Sequence, residues 1–228
     1  MLLTFDIETL HTNDAAVIAD MEKTISAPGQ YKKQESIDEW LKENKASALK
    51  ELVGKTSFDG LMGRIACISW AFDDNDIQST RATDTEDEVI AAFYDAIDDA
   101  AQFKHPHGSS KFEVIFCGHN VAGFDLPFLK HRSIIHKIKP PQELQKAMNA
   151  KPWDGCIADT MLMWSSDSQK RASMDKLCEA FGIKGKEGFD GSMVNEEWVN
   201  GDRSKVIEYC KDDVRRTREI YKRITFSA

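Results

Sequence analysis

Acidic residues in three separate segments of the chain have the types and spacing of ligands for divalent cations. Asp6 and Glu8 lie two residues apart near the start, Asp125 lies mid-chain, and Asp213 follows Tyr209 by four residues. Carboxylates brought together are costly unless cations pair them, and Mg²⁺ and Mn²⁺ prefer such oxygen ligands. These residues therefore predict a divalent metal site, with nothing that resembles a zinc site.

The first acidic pair is predicted to lie on a β-strand. The apolar run 1–5 continues by alternation, with Phe5 and Ile7 on one face and Asp6 and Glu8 on the other. A period of two places both acids on the same face, where they can share an ion. The alternative is that this pair is the solvated face of an edge strand.

The second segment is predicted to join a strand to a helix. The run 112–117 has strand character, Gly118 makes a turn, and a helix follows over about 125–136. Asp125 at this junction could be an N-cap, which would not exclude metal binding. His119 and Asn120 could be ordinary turn residues.

The third segment is predicted to lie on a long amphipathic helix over 203–224. Tyr209 and Asp213, four residues apart, fall on one helical face. Asp212 points about 100° away from Asp213, so the tyrosine spacing favours Asp213 as the site residue. The alternative is an exposed face carrying Tyr and Asp among several arginines.

Three motifs give the chain a resemblance to a known family. They are Phe-Asp-Ile-Glu-Thr at 5–9, Gly-His-Asn-Val-Ala-Gly-Phe-Asp-Leu-Pro-Phe-Leu at 118–129, and Glu-Tyr-Cys-Lys-Asp-Asp-Val at 208–214. With them the chain resembles the 3′-5′ exonucleases of the DEDD superfamily, in the branch with Tyr in the last motif (DEDDy). It is similar to stand-alone relatives of the proofreading domain of family B DNA polymerases.

The resemblance implies a site with two divalent ions, Mg²⁺ or Mn²⁺. It makes Asp6 the ligand that bridges the ions, Glu8 and Asp213 further ligands of the first ion, and Asp125 the support of the second. Two cations about 4 Å apart can flank a scissile phosphate and stabilise the attacking and leaving oxygens. Tyr209 is expected to orient the attacking water, because a phenol is a poor base at neutral pH.

The substrate contacts follow only from position in the family motifs. Thr9 and Leu10 would lie beside the terminal nucleotide, and His119 and Asn120 near the cleavage point. Phe124 would offer an aromatic face for stacking, and could equally be a core residue.

The activity implied is 3′-5′ exonucleolytic hydrolysis of single-stranded DNA, with release of nucleoside 5′-monophosphates. An exoribonuclease with the same chemistry is one alternative, since the motifs do not show how a 2′-hydroxyl is treated. A catalytically idle nucleic-acid-binding scaffold is the other, although all four acids and the tyrosine are present.

The composition fits a globular enzyme but not a strongly basic nucleic-acid binder. The 228 residues are 41% apolar and 30% charged, with a net charge of −8, so we expect weak, salt-sensitive binding to a few nucleotides. The basic residues considered for contact with the nucleic acid strand are Lys184, Lys186, Arg215, Arg216, His131 and Arg132.

Five scattered cysteines without a Cys-x-x-Cys motif indicate a reduced, cytoplasmic protein. Neither a membrane segment nor a signal peptide is recognised, and we expect a complete N-terminus because the first strand begins at residue 2.

The remaining segments predict a single exonuclease domain over 1–228 with an α/β, ribonuclease H-like fold. Strands over 64–72 and 77–82 form a hairpin, and a helix follows over 85–103. Residues 10–60 are predicted to be an inserted helical lobe after the first strand, with a helix over 37–53 that begins at a Ser36/Glu39 capping box. The mixed central sheet flanked by helices comes from the resemblance.

Overall fold

The structure is a computed structural model that describes residues 1–104, 113–165, 171–185 and 188–227. In these ranges the strands are β1 (Leu2–Leu10), β2 (Arg64–Phe72), β3 (Gln78–Ser79), β4 (Ile115–Gly118) and β5 (Ile157–Asp159). The first helices are α1 (Ala15–Thr24), α2 (Gln34–Lys55), α3 (Glu86–Lys104), α4 (Asp125–His136) and α5 (Gln142–Asn149). They are followed by α6 (Thr160–Trp164), α7 (Met174–Phe181), α8 (Val194–Asn200) and α9 (Arg203–Ile224), and short 3₁₀ turns occupy Thr56–Phe58 and Gly191–Met193.

The strands form one mixed five-stranded sheet in the order β3-β2-β1-β4-β5. Strands β1, β4 and β5 run parallel, with Thr4 opposite Cys117 and Gly118 opposite Asp159, whereas β2 and β3 are antiparallel. Parallel strands end at the same edge of a sheet, which is where α/β proteins place their sites. The chain leaving β4 therefore starts beside the acidic half of β1.

One face of the sheet is covered by an apolar core in which aromatic rings meet. The ring of Phe5 lies 5.2 Å from that of Phe93 on α3 and 6.3 Å from that of Phe116 on β4. Leu3 and Ile7 belong to the same buried cluster. Since alternate residues point to opposite faces, this packing directs Asp6 and Glu8 to the other face. The edge-strand alternative is wrong, because β1 is the middle strand of the sheet.

Several expected boundaries differ from the structure for local reasons. The second hairpin strand is only Gln78–Ser79, because the Asp84 carboxylate accepts from the N–H of Arg81 at 2.8 Å and turns the chain away. The strand expected over 112–117 is Ile115–Gly118, with residue 112 outside the described residues. Helices α4 and α9 have the predicted limits.

Residues Leu10–Arg64 form a second compact unit, and Met1–Thr9 with Ile65–Ala228 form the first. The second unit is helical, with α1 and α2 joined by an ion pair of 2.8 Å between Glu22 and Lys45. Helix α1 was not predicted; Asp14 caps it. The predicted capping box is wrong, since α2 begins at Gln34 and encloses both of its residues. The single-domain description of 1–228 stays a prediction.

Candidate active site

Helix α9 contacts the acidic face of β1 through Cys210. On α9 the thiol of Cys210 lies 3.3 Å from the backbone oxygen of Asp6 and 3.5 Å from its Oδ2 atom. One carboxylate oxygen each of Asp6 and Glu8 and the Cys210 sulfur all lie within 4.8 Å of one another. The two acids of the first motif are thus close enough to share an ion.

Asp125 is brought to the same strand by the start of α4. Its Oδ1 atom accepts the backbone N–H of Ile7, the residue between the two acids, at 3.3 Å. The N-cap interpretation of Asp125 is wrong: Phe124 is the N-cap, and Asp125 is the first helical residue. Burial raises the pKa of the Asp125 carboxyl to about 7, and the negative charges of Asp159 and Asp213 add to the rise. A bound cation would oppose this shift, because it favours the ionised form.

The α9 motif presents Tyr209 and Asp213 to this group of acids. Burial raises the pKa of the Tyr209 phenol well above its usual range, and the negative charges nearby, that of Asp213 first, raise it further. The phenol is therefore neutral and can donate a hydrogen bond. Asp213 is buried and pairs with Arg216 one turn later on α9.

Asp212 does not belong to the group of acids near Tyr209. Its side chain is 28% exposed, and Oδ1 forms an ion pair of 2.7 Å with Arg215. The negative charge of Asp213, by contrast, acts on both Tyr209 and Asp125. The structure thus brings Asp213 and not Asp212 to the site side of α9.

The loop between β4 and α4 is held by a buried carboxylate. Asp159, at the end of β5, accepts the N–H of Asn120 and of Ala122, each at 3.0 Å. The same side chain caps α6. Asn120 has a left-handed φ of 68°, and a Cβ on Gly123 would lie 2.6 Å from its Oδ1 atom. A side chain at 123 would therefore require the Asn120 amide to shift.

The residues proposed from sequence as substrate contacts differ in their surroundings. His119 is held by protein atoms, since Nε2 donates to the Ala172 carbonyl at 3.1 Å and Nδ1 lies 2.9 Å from the Thr160 hydroxyl. Phe124 packs against the core, with its ring 5.6 Å from that of Phe128, yet is only partly buried. At the end of β1, Thr9 is partly exposed and Leu10 is buried.

A cavity of about 510 Å³ opens beside the face of α9 that carries Tyr209 and Asp213. Its described lining comes from α7, α9 and the chain between them: Met174, Asp175, Cys178, Glu179, Ile183, Gly185, Phe189, Asp190, Tyr209, Asp213 and Arg216. The rings of Phe189 and Tyr209 lie 4.9 Å apart in its wall. Tyr209 and Asp213, two of the residues predicted to act in catalysis, thus line the cavity.

The family assignment comes from comparison with known proteins. A family model described as "Predicted 3'-5' exonuclease related to the exonuclease domain of PolB" matches residues 61–228. The chain belongs to this exonuclease family. Membership supports nuclease activity and a nucleic acid substrate. No curated protein matches the sequence significantly.

The fold of this family member is also found in a solved polymerase. The family B DNA polymerase from the hyperthermophilic archaeon Pyrobaculum calidifontis aligns with a TM-score of 0.58 and 17% identity. The alignment covers 98% of this chain and 24% of the polymerase chain, so the exonuclease chain spans about a quarter of that protein. The match supports the ribonuclease H-like α/β fold expected from the sequence.

The donor set of this exonuclease chain fits hard divalent cations. The predicted ligands offer carboxylate oxygens, and an octahedral Mg²⁺ with bonds of about 2.1 Å places opposite ligands about 4.2 Å apart. One carboxylate oxygen each of Asp6 and Glu8 lie within 4.8 Å of each other, an upper bound slightly larger than that span. Cys210 itself acts as a donor to Asp6, since burial raises the pKa of its thiol.

Sequence reasoning missed what two basic residues do. Arg216 and Arg132 were considered for strand contact, but both are buried. Arg132 donates to Glu86 at 2.7 and 2.8 Å, and Arg216 pairs with acids on α7 and α9. The spacing of Arg216 three residues after Asp213 is the one local signal that could have indicated its pairing. Lys186 lies outside the described residues.

The described part of the chain has no helix that is long and apolar enough to cross a bilayer.

Proposed function

We propose that this chain is a metal-dependent 3′-5′ exonuclease of the DEDDy type. It hydrolyses single-stranded DNA from the 3′ end and releases nucleoside 5′-monophosphates, within a single exonuclease domain that carries residues 10–60 as an accessory lobe. The observation that carries the proposal is the meeting of acidic side chains from separate segments of the chain. Carboxylates from three segments that are far apart in sequence, on β1, α4 and α9, come close to one another near Tyr209.

Each acid has a proposed role in holding two divalent ions. Asp6 would bridge them, Glu8 and Asp213 would complete the first, and Asp125 would support the second. When bound, such ions supply charge stabilisation at the phosphate and make water a better nucleophile at neutral pH. The contact between the Asp125 carboxylate and the Ile7 N–H supports this set, because it fixes the mid-chain acid next to the first motif.

Tyr209 would orient the attacking water by donating from its phenol. Its raised pKa keeps the hydroxyl protonated at neutral pH, so we assign it water orientation and not the role of the base. The Phe189 ring packed against it limits the positions available to the Tyr209 ring. Tyr209 thus contributes to the reaction by fixing the position of the attacking water.

We expect Tyr209→Phe to slow cleavage by about 10²-fold, the size of effect that misplacing a reactant can produce. Mn²⁺ affinity should stay unchanged, because a phenol without its hydroxyl removes none of the proposed ligands. The pH profile should keep its shape, since the Tyr209 hydroxyl does not titrate near neutral pH in the native protein. Single-turnover kinetics between pH 6 and 9 with both proteins measure this. An unchanged rate would remove Tyr209 from the mechanism.

The proposed substrate contacts are those at the edge where β1 and β4 end. Thr9, Leu10, Asn120 and Phe124 remain candidates, and the polymerase relative supports DNA, since its name describes a DNA polymerase. His119 is better described as a support of the loop, because protein atoms contact both of its ring nitrogens. The net charge of −8 suits weak binding to a short stretch of one strand.

Digestion of matched single-stranded DNA and RNA oligonucleotides labelled at the 5′ end tests the proposal. In Mg²⁺ or Mn²⁺ we expect a ladder that shortens from the 3′ end, faster for DNA, and no cleavage in EDTA. Faster digestion of RNA would make the chain an exoribonuclease. Binding without cleavage of either strand would indicate the idle scaffold.

A further inference from the structure

Arg216 is a buried guanidinium among three carboxylates at the edge of the candidate site. Its Nη2 atom donates to Oδ1 of Asp213, and Nη1 donates to Oδ1 of Asp175 at 2.7 Å. Its Nε atom lies 3.3 Å from Asp212 and forms no hydrogen bond with it. The Arg216 side chain is only 3% exposed. A permanent positive charge is therefore held out of water beside a predicted metal ligand.

The contacts of Arg216 come from two helices. Asp213 precedes it by three residues on α9, and Asp175 lies in the first turn of α7. A guanidinium presents donors in a rigid planar fork, so two carboxylates bound at its two ends fix its orientation. The orientation of the Asp213 carboxylate then depends on a group anchored to α7.

We propose that Arg216 is a positioning residue that holds the Asp213 carboxylate in the geometry needed for metal binding. The inference rests on the proposed function, in which Asp213 is a ligand. Hydrogen-bond partners behind a ligating carboxylate orient it, and removing such partners lowers metal affinity. Arg216 would do this from the side of the cavity, without contacting the substrate.

A simple counter-charge role predicts the opposite change. If Arg216 only neutralised the acids, removing its positive charge would strengthen the attraction between the site and a cation. If it orients Asp213, removing it would weaken cation binding despite that gain. The sign of the change in affinity therefore separates the two roles.

The experiment is titration of the full chain with Mn²⁺, without nucleic acid, with free Mn²⁺ measured by electron paramagnetic resonance. We expect Arg216→Gln to raise the Kd by about tenfold, the low end for loss of a group that orients a ligand. Arg216→Lys, which keeps the charge but lacks the fork, should give an intermediate Kd. An Arg216→Gln protein that binds Mn²⁺ as tightly as the native chain, or more tightly, would overturn the proposal.

The adjacent Arg215 offers a matched control. It pairs with Asp212 and donates to the Lys184 carbonyl at 3.0 Å, and its partly exposed side chain has no described contact with Asp213. Arg215→Gln removes the same charge one residue away and should leave the Kd within about twofold, as expected for a screened surface pair. An equal loss in both variants would also overturn the proposal, because the loss would then reflect a general disturbance of α9 and not the contact between Arg216 and Asp213.

Two further variants complete the test. If Arg216→Gln does not fold, Asp175→Asn weakens the outer anchor of the guanidinium at an 83% exposed side chain and should still raise the Kd several-fold. An unchanged Kd there would count against positioning. Asp213→Asn should lose binding of one ion. If Asp213→Asn keeps both ions, or if the native chain binds no Mn²⁺, the proposed metal site fails together with this inference. If Asp213→Asn loses one ion and the Arg216 variants bind Mn²⁺ normally, only the role of Arg216 is wrong.

Discussion

Asp6→Ala is expected to abolish cleavage, with a loss of about 10³-fold or more. Asp6 is proposed to bridge both ions, and metal ions contribute several kcal/mol of transition-state stabilisation, at about 1.4 kcal/mol for each factor of ten. The fold should survive, because the change removes one of several like charges around β1 and no core side chain. Single-turnover cleavage of a 5′-labelled oligonucleotide, with the circular dichroism spectrum of the variant, measures both expectations.

Thermal unfolding adds a readout that does not depend on activity. In EDTA, Asp6→Ala should unfold at the same temperature as the native chain or higher, because repulsion with Glu8 is relieved. Mn²⁺ should stabilise the native chain more than the variant, since a ligand that binds only the folded state raises its stability.

Glu208→Ala is the matched control: its exposed carboxylate pairs with Lys211 at 2.8 Å, on the same helix as Tyr209. Full activity of Asp6→Ala would show that the metal assignment is wrong.

The elements that carry the site could be predicted because their patterns are local. Helix α9 shows an apolar repeat at helical spacing, and its limits in the structure are those expected. The alternation of β1 indicated that Asp6 and Glu8 share a face, and Phe5 and Ile7 do pack in the core on the other. Period and spacing are properties of neighbouring residues, so the sequence contains them directly.

The supports of the site could not be predicted because they depend on residues far apart in the chain. Asp159 caps α6, but nothing near it in sequence indicates that it also accepts two N–H groups of the loop after β4. The burial of Arg216 likewise depends on α7, whose Asp175 lies 41 residues earlier. Such contacts exist only once the sheet has brought the elements together.

For Asp125, the capping rule predicted the start of α4 correctly but assigned the side chain the wrong role. An Asp before a helix is usually its cap, and α4 does begin there. Its carboxylate instead accepts the N–H of Ile7 on the neighbouring β1, because parallel pairing of β1 and β4 brings the junction to that strand. The tertiary contact places the acid next to the predicted metal ligands, which capping alone would not require.

Asp213→Ala and Asp212→Ala are expected to differ sharply although the residues are adjacent. Asp213→Ala should lose about 10³-fold in cleavage, since a proposed ligand is removed. It should also lower the free energy of unfolding by about 3 kcal/mol, because Arg216 would keep a buried charge without its closest acid. Asp212→Ala should retain cleavage within about fivefold and lose about 1 kcal/mol, as for a partly exposed ion pair. Urea unfolding and single-turnover cleavage measure the two effects separately.

The comparison is decisive because a helix turns by about 100° at each residue, so neighbouring acids cannot serve the same site in the same way. Inactive Asp212→Ala with active Asp213→Ala would reverse the choice between them and would place the metal on the other side of α9. Loss of cleavage in both variants, with Asp212→Ala as stable as expected, would instead mean that the Asp212 charge acts on the site through Arg216, whose Nε it faces at 3.3 Å. In that case Asp212→Asn, which keeps the shape but not the charge, should be as slow as Asp212→Ala.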